Sequence, residues 1–234
     1  MEFIKKFWDK KSISELENYL THMSRPDKIN WTQNIARTKL NVLATPNPNL
    51  KKIASLIHKG NYISFWDNCS FHIYEMVLIY GYLLNFEKDF KSISIYLQKY
   101  LPHVDCWASC DILKFNSKLF SKELFNLALS YTKSKEPFTR RIGLRLMFAY
   151  TNEDSYIPQI FNILNSFKSE QEYYVNMIVS WLLCEMFIKH REETLKFLDN
   201  HNLNNFSINK AIQKCRDSFR VSPKDKELLL RYKK

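Results

Sequence analysis

Apolar residues return every three to four positions along most of the chain, the period of a helix with one buried face. In "ISELENYLTHM" the repeating positions are Ile13, Leu16, Leu20 and Met23. "PNLKKIASLIHKG" opens with Pro48 in its first turn and closes at Gly60, residue types that suit a helix start and a helix stop. The runs "FHIYEMVLIYGYLLNF", "SKELFNLALSYTKS", "TRRIGLRLMFAYT" and "YYVNMIVSWLLCEMFIKH" follow, separated by short polar breaks. "INKAIQKCRDSF" and "PKDKELLLRYKK" close the chain. No segment alternates over the length of a strand. The pattern predicts an all-α protein.

A longer period overlies the helical one. Aromatic residues near the starts of the longer runs fall at Phe71, Trp107, Phe138 and Tyr174, spacings of 36, 31 and 36 residues. Two helices per thirty-odd residues mark a stacked array, in which neighbouring units bury each other's apolar faces. The expected architecture is a set of stacked antiparallel helix pairs, an α-α solenoid. A basic concave face on such an array would suit a long, rigid anion such as duplex DNA.

Composition narrows this picture. At 234 residues the chain is long enough for a full core and short enough for one domain, expected over 1–234. Trp8 and Trp66 read as core residues. Only Gly60, Gly81 and Gly143 are glycines, so neither a P-loop nor a dinucleotide-binding loop can be built. Lys and Arg outnumber Asp and Glu by 35 to 24, for a net charge of +11. The acids are interspersed, so the excess is displayed by the folded domain and favours a polyanion, nucleic acid ahead of an anionic membrane surface. Five irregularly spaced cysteines argue against a disulfide framework and for a reducing cytoplasm. The N-terminus lacks a continuous apolar core for a secretory signal, and no run reaches the roughly 18 residues of a membrane span.

Chemistry concentrates in "HVDCWASCDILKFNSK". Trp107 and Asp111 stand at i and i+4 and share one helix face. They fit a tryptophan packed at a helix seam with Asp111 solvated or paired to Lys114, or half of an active site. His103, Cys106 and Cys110 also fall on one side of a helix, but a tetrahedral zinc site needs a fourth ligand that this stretch lacks. Small residues filling a seam account for the cysteines better, and no metal is expected.

With these residues in view, the chain resembles the AlkD-like DNA alkylation repair proteins, glycosylases built from HEAT-like helical repeats. The family's W-x-x-x-D motif is matched by "WASCD". Its aromatic, arginine and apolar helix are matched by "FTRRIGLRLMF", with Arg141 at the arginine position. Its paired aromatics and tryptophan-bearing helix are matched by "SEQEYYVNMIVSWLLCEMF", with Trp181 as that tryptophan. "LATPNPNLKKIASLI" and "FLDNHNLNNFSINKAIQKC" resemble the family's T-P-x-x-R segment and closing repeat, so the likeness is clearest over 35–220.

The resemblance implies a HEAT-like superhelix that hydrolyses the N-glycosidic bond of cationic N3- or N7-alkylated purines in duplex DNA, within base excision repair and without cofactor. Asp111, Trp107 and Trp181 would be catalytic. Arg141 would hold a phosphate, Arg140 and Arg145 would extend the basic surface, and Lys51 and Lys52 would touch the backbone. A cytoplasmic, nucleoid-associated monomer with no obligate protein partner and no membrane attachment is expected. A cationic base already leaves readily, so one carboxylate can serve where ordinary glycoside hydrolysis uses two. Two positions depart from the family. "NIARTKLNVLA" lacks the tyrosine of the second N-terminal helix, with Thr38 or Ile35 nearest and Trp31 out of register; Cys184 replaces a basic residue. Two other functions stay open, a non-catalytic DNA-binding relative and a helical scaffold for a protein partner.

Overall fold

Local side chains set the helix ends first. Asp9 caps the first helix, α1 (Lys10–His22): its carboxylate accepts from the Ser12 N–H at 2.8 Å, and the Ser12 hydroxyl returns the contact to the Asp9 N–H at 2.8 Å. A proline stands in the first turn of α2 (Pro26–Ala36) and of α3 (Asn47–His58), where its missing N–H costs nothing. Then come α4 (Tyr62–Asn68), α5 (Tyr74–Leu84), α6 (Phe90–Tyr100) and α7 (Trp107–Asp111). The second half holds α8 (Ser121–Tyr131), α9 (Pro137–Met147), α10 (Ile157–Ser166), α11 (Tyr173–Lys189), α12 (Arg191–Asp199), α13 (Asn205–Asp217) and α14 (Pro223–Leu228).

The computed structural model describes residues 2–116 and 118–234, and among them there is no strand, only an isolated bridge between Asn41 and Ile73. The protein is all-α, as the periodicity predicts. It divides into two compact units, Met1–Phe115 and Asn116–Lys234. No helix among the described residues is long and apolar enough to cross a membrane.

In the first unit α5 is the central helix. All eleven of its residues are buried, with α3 and α6 packed against it. Trp8 and Trp66 lie in this core at 0% and 2% exposure, as expected of them. Gly81 is needed for close approach. A Cβ there would lie 2.6 Å from the Ile112 Cδ1 and 2.8 Å from the Tyr100 hydroxyl, so only a glycine lets α5 sit this close to its neighbours.

In the second unit α8 packs on α9, α9 on α11, and α11 on both α12 and α13, the succession expected of stacked pairs. The aromatic period has a structural meaning. Trp107, Phe138 and Tyr174 fall in the first turns of α7, α9 and α11, and Phe71 lies just ahead of α5. Phe138 and Tyr174 touch, ring centroids 5.8 Å apart, so these two successive anchors pack on one another. Helix α2 carries a weaker pattern and buries only Ala36 within its span.

Candidate active site

The motif helix α7 is one short turn, and five residues cannot hold a helix by themselves. Tertiary contacts fix it instead. Its own Ser109 and Cys110 are buried, and the Tyr100 hydroxyl donates to the Ser109 carbonyl at 3.0 Å. Asn85, at the end of α5, donates to the Ile112 carbonyl at 2.9 Å and accepts from the Lys114 N–H at 2.6 Å. The Trp107 indole N–H donates to the Ile35 carbonyl at 2.9 Å, tying the motif to the end of α2. Just ahead of α7, the Asp105 carboxylate accepts from the Thr38 hydroxyl at 2.7 and 2.9 Å and from the Lys39 N–H at 2.6 Å.

These anchors place Trp107 and Asp111, both half-buried, on the wall of one open cleft of about 360 Å³. Asn47 and Lys51 of α3, Tyr82 of α5, and Phe86 and Lys114 also line it. Of the two expected backbone lysines, Lys51 borders the cleft, and both Lys51 and Lys52 are exposed. The Lys51 ammonium stands over the Tyr82 ring, 5.5 Å from its centroid. Tyr82 and Phe86 were not legible as site residues in the sequence. They belong to a run that is apolar on every side, so no polar face marks the edge that meets the cleft.

Cys106 and Cys110 of the motif are fully buried, and burial pushes the Cys106 thiol above its ordinary value. His103 lies flat on Phe71, ring centroids 3.8 Å apart. Among the described residues no group of three or more His, Cys, Asp or Glu could hold a metal ion.

The stretch "NIARTKLNVLA" behaves differently from the second N-terminal helix it was matched to. Helix α2 stops at Ala36, and Arg37 turns left-handed at φ 59°, so only its first three residues are helical. Thr38 is buried against Asp105, whereas the Ile35 side chain is exposed beside the carbonyl that holds Trp107. Trp31, at 63% exposure, lines a separate cavity with Arg25 and Lys28.

In the second unit the three expected arginines are all engaged. Arg140 makes a two-pronged pair with Glu170 at 2.8 and 3.0 Å and donates to the Ser134 and Lys135 carbonyls at 2.9 and 2.8 Å. Arg141 is 5% exposed and donates to the Tyr174 carbonyl at 2.5 Å. Arg145 is buried, its guanidinium 5.3 Å from the Phe148 centroid and 5.9 Å from that of Trp181. The Trp181 ring, half-buried and 4.7 Å from Phe148, therefore already carries a cation. Cys184 is buried, as is Cys215. The neighbouring Glu185 takes both Arg220, at 3.2 and 2.8 Å, and Lys189 at 3.2 Å. Burial works to raise the Glu185 carboxyl, and these hydrogen bonds outweigh it, leaving it below the ordinary value.

Among comparisons with known proteins, the model of one family, described as DNA alkylation repair enzyme, matches residues 16–215. No curated protein matches the chain.

Proposed function

The chain belongs to the DNA alkylation repair enzyme family, and from that premise we propose that it is a DNA glycosylase acting on cationic N3- and N7-alkylated purines, such as 3-methyladenine and 7-methylguanine, in duplex DNA. The observation that carries this reading is the rigid placement of Asp111 beside Trp107 on the wall of an open cleft. In the proposed reaction the bond from sugar C1′ to the base nitrogen breaks, and its electron pair neutralises the positive base. The sugar is left as an oxocarbenium ion. Asp111 stabilises that charge and orients the water that attacks C1′, whose proton passes to the carboxylate or to solvent. The products are a free base and an abasic site.

Trp107 offers an electron-rich face to the cationic lesion. Lys51 and Lys52, exposed on α3, hold backbone phosphates. A phosphate role for Arg140, Arg141 or Arg145 in the second unit requires each to leave the group it already holds. The protein works as a cytoplasmic monomer without cofactor or obligate partner. The test is release of methylated bases from alkylated duplex DNA. Wild type releases base, and Asp111→Asn loses about 100- to 1,000-fold, the scale of removing one group that stabilises a transition state. Equal rates in the two proteins would remove Asp111 from the chemistry. Duplex binding without any release would make the protein a non-catalytic relative, the reading favoured by the absence of a tyrosine from "NIARTKLNVLA".

A further inference from the structure

Besides Trp107, two aromatic residues share the cleft with Asp111, and no motif announces either of them. Tyr82 is nearly buried, and its ring face is covered by the protein's own cation, the Lys51 ammonium at 5.5 Å. Phe86 stands at the rim, 38% exposed. It is backed by His58 at 5.2 Å, which in turn stacks on Tyr62 at 4.8 Å, so its ring is braced from behind while part of it stays open. An aromatic face carries a negative quadrupole, so a ring that accepts a lysine ammonium in the unliganded protein is also a receptor for another cation.

We infer that Tyr82 and Phe86 form a cation-accepting wall that selects positively charged bases over neutral ones, and that Lys51 occupies this wall until DNA arrives. This rests on the reading of the Asp111 cleft as the lesion site. A phosphate is a full negative charge and outbids a ring quadrupole for an ammonium. Arrival of a duplex therefore draws Lys51 to the backbone and uncovers Tyr82. An alkylated purine carrying a positive charge replaces the lost ammonium, with Asp111 adding to the same preference. A neutral purine of the same shape gains nothing from the wall. Lys114, also lining the cleft, opposes any cation, so the aromatic faces must outweigh it for selection to occur.

The wall is tested by binding, apart from turnover. Duplexes carrying 2′-fluorinated 7-methylguanosine, cationic and resistant to cleavage, are compared with duplexes carrying its neutral 7-deaza-7-methyl isostere. Wild type should prefer the cationic duplex, and Tyr82→Phe, which keeps the ring face, should retain the ratio. Tyr82→Leu and Phe86→Leu should each lower the ratio by about 2- to 30-fold, the range for one cation–ring contact. Lys51→Met should raise the ratio while weakening binding to both duplexes. Tyr82→Leu removes a buried ring, so if its melting shows a damaged fold, Phe86→Leu at the exposed rim decides. An unchanged ratio in Phe86→Leu, or no preference in wild type, overturns the inference. Cationic preference without base release leaves the wall standing and defeats the glycosylase reading; release without preference does the reverse.

Discussion

Gly81→Ala tests how the fold holds the Asp111 cleft. In an exposed helix the change would stabilise by about 0.5–1 kcal/mol, because alanine has less backbone freedom to lose. Here the new Cβ lands 2.6 Å from the Ile112 Cδ1 and 2.8 Å from the Tyr100 hydroxyl. The two neighbours cannot yield equally. Tyr100 is fully buried, lies parallel to Tyr80 at 5.6 Å, and is fixed by its bond to the Ser109 carbonyl. Ile112 is half-buried and lines the cleft, so its chain end moves there. Overpacking costs about 1–3 kcal/mol and a weakened buried hydrogen bond about 1 kcal/mol more. Set against the propensity gain, the net loss is about 1–3 kcal/mol, or a fall in Tm of about 2–4 °C per kcal/mol for a chain of this size. Urea and thermal melts measure it. In a Tyr100→Phe background the hydroxyl is gone and the cost of Gly81→Ala should shrink by about 1 kcal/mol. A Gly81→Ala protein that is more stable than wild type would falsify the packing account of α7.

Arg140→Met should destabilise the second unit by about 3–5 kcal/mol, because it leaves the largely buried Glu170 carboxylate without its two-pronged partner. A stable variant that binds duplex DNA poorly would instead mark Arg140 as a phosphate contact first and an anchor second. Burial lowers the proton affinity of His58, His103 and His201 below the ordinary 6.5, so each is held neutral in the folded protein. Their stabilisation is complete above pH 6.5 and is lost as pH falls through the lowered folded values, since the unfolded chain then binds more protons. Burial raises the Glu75 carboxyl and works in the opposite direction. The readout is therefore the difference between variants: His103→Phe, which keeps a ring against Phe71, should flatten the decline in Tm between pH 6.5 and 5. An identical slope in wild type and variant would refute the assignment.

The helical period alone determined the fold class. Ile13, Leu16 and Leu20 bury one face of α1 because a 3.6-residue turn brings them together, a consequence of local geometry that needs no neighbour. The aromatic period held for the same reason, each anchor opening or preceding a helix whose apolar face must find a partner. Trp107 and Asp111 were legible as a pair because four residues make one turn. What they border was not legible. Tyr82 and Phe86 belong to α5 and its end, and a helix buried on every side carries no pattern to tell its cleft edge from its core edge. The arginines show the same limit. Arg140, Arg141 and Arg145 read alike as basic residues on one helix, yet one is held by Glu170, one by the Tyr174 carbonyl, and one lies over Trp181. Charge is a property of the residue. Whether that charge is already engaged depends on groups some thirty positions away, and only tertiary packing brings those groups within reach.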